Sequence, residues 1–267
     1  MDNSSTILGL LKRRGFTFLS WGNLEHLLIP ENRLEDFENR FYELLKKYSF
    51  RIFLRDIIKY QKGFFLKDIV KYSTEETIND YLALTTEFGI TKSSSENHYQ
   101  LISSTVYSFG ETLEWFIARV LMKEFQSHAE WGVKLRDNKS GGDYDVIAMV
   151  ENNFVYIEVK SSPPKHIELN EVIAFLKRVD TLRPNLAIFF NDTELRMKDK
   201  IVVLFEEALK HLLKPKKANH LKIKRVYEKE EMFSIKNEIF IINSKPDLIS
   251  NLGKCFSNYF AEQGINI

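Results

Sequence analysis

Two apolar runs separated by a short polar turn constrain the fold of this chain more than any other feature. They span residues 145–150 and 154–160, and Glu151-Asn152-Asn153 lies between them. Two such runs on either side of a turn-prone triplet predict a β-hairpin. Both strands are predicted to lie centrally in a sheet because they alternate apolar residues, which are Val146, Ala148 and Val150 on the first and Val155, Ile157 and Val159 on the second.

The predicted hairpin brings one aspartate, one glutamate and one lysine to a single face. Successive side chains of a strand point to opposite faces, so Glu158 and Lys160 share a face. A two-residue turn at Glu151-Asn152 would set Asp145 opposite Glu158, and a turn at Asn152-Asn153 would set it opposite Lys160. Either register gathers the three side chains, whereas a slip of one residue would separate them.

This trio of side chains predicts a site for a divalent metal ion. Two adjacent carboxylates repel each other unless a cation lies between them, and Mg²⁺ or Mn²⁺ prefers such oxygen ligands. A metal ion there would polarise a phosphate and lower the pKa of a bound water. Lys160 would orient that water, act as its base if its pKa is depressed, or neutralise charge on the phosphate. A surface hairpin with an ordinary Glu158–Lys160 salt bridge is disfavoured because charges between apolar strands are costly without a purpose.

These motifs resemble the PD-(D/E)xK nuclease superfamily, particularly archaeal Holliday-junction resolvases and Mrr-like endonucleases, over about residues 108–192. The matching pieces occur in the family's order: a helix with an embedded glutamate (109–118), the G-G-D-Y-D-V strand (141–146), I-E-V-K-S-S (157–162), a helix (169–179) and a buried strand (186–190). Tyr144 stands where the family's proline would precede the aspartate.

The resemblance implies an α/β fold of the restriction endonuclease-like type, a mixed-sheet sandwich. It implies that Asp145 and Glu158 ligate Mg²⁺ or Mn²⁺, that Lys160 acts in catalysis, and that the protein hydrolyses DNA phosphodiester bonds, often as a homodimer. An RNA-directed nuclease and a non-catalytic nucleic-acid-binding or regulatory protein with the same fold are the alternatives.

The helix at residues 109–118 supplies a further candidate ligand. Glu114 lies in line with Ile117, Ala118 and Leu121, on the face that such a helix buries. Related nucleases place a glutamate near the metal ion at this point, so Glu114 is the predicted third metal ligand. Glu111, one turn earlier, is the alternative.

The residues before the nuclease-like domain (108–267) are predicted to form a helical segment (1–45) and a winged-helix-like domain (46–107). The second region has three amphipathic helices followed by a hairpin, and Ser73 with Glu76 forms a capping box before the third helix. That helix carries four acidic residues and no basic ones, Glu75, Glu76, Asp80 and Glu87. Phosphates would repel it, so a scaffold role and DNA binding both stay open.

Composition places few limits on the partner. The net charge is +1, so a nucleic-acid surface must be local. One such stretch contains Lys210, Lys214, Lys216, Lys217, Lys222, Lys224 and Arg225. A single cysteine and the lack of a signal peptide or apolar span predict a cytoplasmic protein without membrane contact.

Overall fold

The computed structural model describes residues 3–30, 36–70, 73–95, 97–136, 142–214 and 221–263. The helices are α1 (Asn3–Arg13), α2 (Phe37–Leu45), α3 (Tyr48–Lys59), α4 (Leu66–Ile69), α5 (Glu75–Glu87), α6 (Gly110–Glu124), α7 (Leu169–Leu182), α8 (Val203–Leu212) and α9 (Leu248–Gln263). The strands are β1 (Phe18–Ser20), β2 (Phe64–Phe65), β3 (Thr91–Ser95), β4 (His98–Leu101), β5 (His128–Leu135), β6 (Tyr144–Val150), β7 (Asn153–Lys160), β8 (Leu186–Asn191), β9 (Ile223–Arg225), β10 (Phe233–Ile235) and β11 (Ile239–Ile242).

The chain divides into two compact units, and the division differs from the one that the sequence pattern suggests. The first unit contains Met1–Gly22 and Ile117–Ile267, and the second contains Asn23–Phe116. The first residues of the chain join the large sheet because β1 pairs antiparallel with β5. Within the described residues of the predicted helical segment 1–45, α1, a short 3-10 turn and α2 are helical.

The first unit is built on a mixed sheet of eight strands among the described residues, in the order β1-β5-β6-β7-β8-β11-β10-β9. β5, β6 and β7 are antiparallel neighbours, whereas β7, β8 and β11 run parallel. The prediction of an α/β fold with a mixed sheet is confirmed. β6 and β7 lie inside the sheet, as their apolar runs indicated.

Helices α1, α7 and α8 contribute to one hydrophobic core on a face of this sheet. Phe175 of α7 contacts Tyr156 of β7 and Phe189 of β8, with ring centroids 5.8 and 5.4 Å apart. Ile157 points to the opposite face and is also fully buried, so both faces of the central strands are covered. No helix in the described part of the chain is long and apolar enough to cross a membrane.

The second unit contains α3, α4 and α5 and a small antiparallel sheet in the order β2-β4-β3. Three helices followed by a hairpin occur as predicted, and Gly89 (φ +75°) follows the end of α5. The predicted cap at Ser73 is wrong, because Thr74 accepts the hydrogen bond from the Thr77 amide at 3.3 Å. The winged-helix identity of this unit stays a prediction.

Gly132 of β5 is expected to tolerate no side chain. Its φ is +58°, and an added Cβ would lie 2.7 Å from the Cα of Gly22. Gly132→Ala is therefore expected to lower the free energy of unfolding by about 2 kcal/mol, through backbone strain and displacement of the chain at Gly22. Thermal or urea unfolding would measure it.

Gly253→Ala provides the matched control within the same unit. Gly253 lies in α9, and an added Cβ would meet Phe125 at an ordinary 3.7 Å. Because alanine favours a helix by roughly 0.5–1 kcal/mol over glycine, this variant should be as stable as the wild type or more so. Equal loss of stability in both variants would contradict the prediction.

Candidate active site

The turn between β6 and β7 settles how the candidate residues face each other. The two-residue turn Glu151-Asn152 has positive φ at both positions, 45° and 63°, as a tight hairpin turn requires. Val146 pairs with Ile157, and the next pair in this register is Asp145 with Glu158. Of the two registers that the sequence allowed, the one with Asp145 opposite Glu158 is confirmed.

Glu158 is a buried carboxylate whose two oxygens are both contacted by protein donors. Its side chain is 1% exposed. Nη1 of Arg178 donates to Oε1 at 2.9 Å and to Oε2 at 2.8 Å. Nζ of Lys160 lies 3.0 Å from Oε1, and the Tyr156 hydroxyl donates to Oε2. Each oxygen thus has two donors, which matches the roughly four lone-pair sites of a carboxylate.

Asp145 is half-buried and has a different environment. Its Oδ2 accepts a hydrogen bond from the Val159 amide at 2.7 Å. Burial, followed by the negative charge of Glu158, raises the pKa of the Asp145 carboxyl well above its ordinary value. A raised pKa means that the site disfavours the ionised form of Asp145, which a bound cation would reverse.

Lys160 lies between two carboxylates. Its Nζ is 3.0 Å from Oε1 of Glu158 and 3.2 Å from Oε1 of Glu171, and its side chain is 19% exposed. Burial by itself would lower the pKa of Lys160, but the charges of Glu158 and Asp145 outweigh it, so that the pKa is raised. Lys160 is therefore an ammonium ion at neutral pH.

The site contains one more carboxyl group than it has cationic side chains to pair with. Lys160 and Arg178 balance two of the three carboxylates, Glu158 and Glu171, with which they form ion pairs. Asp145 accepts only a neutral backbone donor among the hydrogen bonds of the described residues. Asp145 is thus the carboxyl of this cluster without an ion-pair partner among the described residues, and an additional cation would stabilise its ionised form.

Arg178 reaches Glu158 because α7 packs directly on this face of the sheet. Phe175 of α7 stacks on Tyr156, and Arg178, three residues later, meets Glu158, two residues along the strand. Gly142 (φ +71°) borders the guanidinium on another side, since an added Cβ would lie 2.7 Å from Nη2. The glycine of the G-G-D-Y-D motif therefore leaves room for Arg178.

The sequence pattern did not place Arg178 or Glu171 in the metal site. Both pair with residues of the site in the structure. Tyr156 was not considered, although it lies on the same face as Glu158 by strand alternation. That alternation was the signal that would have found it.

The remaining candidates are Asp143, Glu111, Glu114 and the basic stretch of residues 210–225. Asp143 forms an exposed ion pair with Lys134 at 3.4 Å. Glu111 lies 3.5 Å from Nδ1 of His26. Glu114 is half-buried on α6, in the part of the helix that belongs to the second unit, and its role as a metal ligand stays a prediction. Of the basic stretch, Lys216 and Lys217 lie outside the described residues.

The carboxylates fit a divalent ion in part. In the described part of the chain, no three His, Cys, Asp or Glu side chains are grouped so as to hold a metal ion. A hard ion such as Mg²⁺ needs only one or two carboxylates when water and phosphate complete its coordination, and Asp145 and Glu158 are of this kind. Asp145 has acceptor capacity for an ion, whereas Glu158 would first have to lose a protein donor.

Comparisons with known proteins show a similarity of fold. No family model matches this chain, and no curated protein matches it. Protein VC1899 from Vibrio cholerae is similar in structure, with a TM-score of 0.51 and 14% identity over 92% of this chain and 59% of that chain. Can2 from Sulfobacillus thermosulfidooxidans, in complex with cyclic tetra-adenylate, has a TM-score of 0.47 and 14% identity over 83% of this chain and 54% of that chain.

This chain spans 59% of VC1899 and 54% of Can2, so each of those structures contains much that has no counterpart here. At 14% identity, the similarity to VC1899 is one of fold alone. The chemistry must be argued from the side chains around Asp145 and Glu158.

Proposed function

We propose that this chain is a metal-dependent nuclease of the restriction endonuclease-like fold that hydrolyses DNA phosphodiester bonds. The observation that carries the proposal is the hairpin register, which sets Asp145 opposite Glu158, with Nζ of Lys160 3.0 Å from Glu158. The lack of an ion-pair partner for Asp145 among the described residues supports binding of a cation there.

In this proposal Asp145 and Glu158 hold a Mg²⁺ or Mn²⁺ ion. When bound, such an ion would polarise the scissile phosphate and acidify a water molecule. Asp145, with its remaining acceptor positions, is the primary ligand. Glu158 joins it once one of its protein donors moves.

Lys160 acts in this proposal as a fixed positive charge. Its raised pKa argues against the general-base role that the sequence left open, because a base must be neutral before it accepts a proton. An ammonium held by Glu158 and Glu171 would instead neutralise the charge that develops on the phosphate in the transition state. It would also orient the attacking water.

Cleavage assays with the purified chain test the proposal. Branched DNA, duplex DNA and structured RNA would each be incubated with Mg²⁺, Mn²⁺ or EDTA. The wild type should cleave DNA only with a divalent ion, and Asp145→Ala and Lys160→Ala should each lose at least about 100-fold in rate. Lys134→Ala, which removes an exposed lysine from neighbouring β5, should cleave as the wild type does.

The other outcomes are informative. Equal cleavage by the wild type and both site variants would exclude this site, and cleavage of RNA alone would replace DNA as the substrate.

A specific observation favours a second candidate function, which is nucleic-acid binding without turnover: the protein donors on Glu158 already satisfy it without a metal ion. Absence of cleavage with every substrate and ion would support that candidate.

A further inference from the structure

The guanidinium of Arg178 is a counter-ion of the Glu158 carboxylate. Of the three donors to this carboxylate among the described residues, only Arg178 contacts both oxygens, at 2.9 and 2.8 Å. Lys160 and Tyr156 each contact one. A carboxylate whose lone-pair sites are all used has none to offer a metal ion, so a metal ion and these donors cannot all bind Glu158 together.

Withdrawal of Arg178 would leave the sheet and its core in place. Tyr156 is fully buried in the core, where its ring packs against Tyr144 and Phe175. Lys160 belongs to β7 itself and supplies the fixed positive charge of the proposed function. Arg178 reaches the site from α7 on a long side chain, so rotation about its side-chain bonds can move the guanidinium without moving the sheet.

We propose that Arg178 competes with the divalent ion for Glu158, so that the guanidinium must leave at least one carboxylate oxygen before the metal ion binds there. Arg178 then sets the metal affinity of the site and keeps Glu158 neutralised while no ion is bound. This inference rests on the proposed function, because it assumes that Glu158 is a metal ligand.

Metal binding can be measured without any substrate by titrating MnCl₂ into the full chain in a calorimeter. Arg178→Gln should bind Mn²⁺ about tenfold more tightly than the wild type, which corresponds to about 1.4 kcal/mol, because the ion no longer has to displace a charge-assisted contact. Lys177→Gln removes the adjacent exposed lysine of the same helix and should change the affinity by less than about twofold, since exposed charges are well screened.

A second variant disturbs the contact of Arg178 with Glu158 and keeps the charge of Arg178. Gly142→Ala retains every charge, but its Cβ would come within 2.7 Å of Nη2 of Arg178 and push the guanidinium aside. It should therefore bind Mn²⁺ more tightly than the wild type, by a smaller factor than Arg178→Gln. The φ of +71° at this position also makes the variant less stable, so its metal affinity is measured below its unfolding temperature. This variant also tests the proposal if Arg178→Gln does not fold.

Thermal unfolding supplies a readout that is independent of calorimetry. In EDTA, Arg178→Gln should unfold at a lower temperature than the wild type, because Glu158 is then buried with fewer donors. Addition of Mn²⁺ should raise the unfolding temperature of this variant by more than that of the wild type, since a ligand that binds the folded state more tightly stabilises it more.

The possible results separate this inference from the proposed function. Tighter binding by Arg178→Gln and Gly142→Ala, with Lys177→Gln unchanged, supports competition. Equal binding by all four proteins, or an increase in Lys177→Gln as large as that in Arg178→Gln, overturns it. Unchanged binding by Gly142→Ala beside tighter binding by Arg178→Gln assigns the effect to charge and also overturns it. No Mn²⁺ binding by any protein removes the metal site itself.

Discussion

Replacing Glu158 with alanine is expected to lower the free energy of unfolding by about 3–5 kcal/mol, the cost of removing one partner from a buried ion pair. Arg178 and Lys160 would lose the carboxylate to which both are paired, and the Tyr156 hydroxyl would lose its acceptor. Two cations would then remain in a largely buried site with one carboxylate fewer. Urea or thermal unfolding in EDTA at neutral pH measures the change.

Glu171→Ala is the matched control for this variant, since Glu171 is the other glutamate that pairs with Lys160. It is partly exposed, and its further contact is with the backbone amide of Glu168 at the start of α7. Its loss should therefore cost only about 1 kcal/mol, as for an exposed ion pair or a helix cap. A loss in Glu158→Ala no larger than in Glu171→Ala would contradict the structural role of Glu158.

The hairpin at the centre of the site was predictable because local signals determine it. A turn-prone triplet between two apolar runs allows few registers, and every even register gathers Asp145, Glu158 and Lys160 on one face. The sequence could not choose between two turns, because asparagine at positions 152 and 153 suits both. The backbone of Glu151-Asn152, with positive φ at both residues, decides it.

The donors around Glu158 were harder to predict from the sequence because their positions depend on tertiary packing. Arg178 lies 20 residues from Glu158, and its position follows from how α7 crosses the sheet. Helical periodicity identifies the buried face of α7, but it does not say which strand residue that face meets. Gly142 could likewise be recognised as a turn residue, while its contact with Arg178 could not.

The grouping of the first residues with the sheet was missed for a related reason. β1 has only three residues, Phe18–Ser20, and a strand this short has no measurable alternation of apolar and polar side chains. Its pairing with β5 joins positions that are more than 110 residues apart in the chain. Only the folded structure shows such a long-range pairing.

Asp145→Asn is expected to separate the stability of the protein from its proposed activity. As a metal ligand, Asp145 should be required for Mn²⁺ binding and cleavage, so the variant should lose at least about 100-fold in cleavage rate. Because burial and Glu158 disfavour its ionised form, ionised Asp145 should destabilise the metal-free fold. Asparagine keeps an acceptor for the Val159 amide and should raise the free energy of unfolding by about 1 kcal/mol, as is common when a functional charge is removed.

The raised pKa of Asp145 makes the stability of the metal-free protein depend on pH. Because folding raises the pKa of Asp145, with burial as the larger cause and Glu158 as the next, the folded protein binds this proton more tightly than the unfolded chain. Proton binding by Asp145 therefore stabilises the folded protein at low pH. This stabilisation is lost as the pH rises through the pKa that Asp145 has in the folded protein. Stability of the metal-free wild type should therefore fall over that range relative to Asp145→Asn.

Two controls make the test specific to the charge at Asp145. At high pH, Mn²⁺ should restore the stability of the wild type and leave the stability of Asp145→Asn unchanged, because the ion stabilises only a protein that binds it. Asp143→Asn, two residues earlier in an exposed ion pair with Lys134, should alter stability by less than about 0.5 kcal/mol. If Asp145→Asn were less stable than the wild type at neutral pH without metal, Asp145 would be a structural anchor, and the excess charge that favours a cation would not exist.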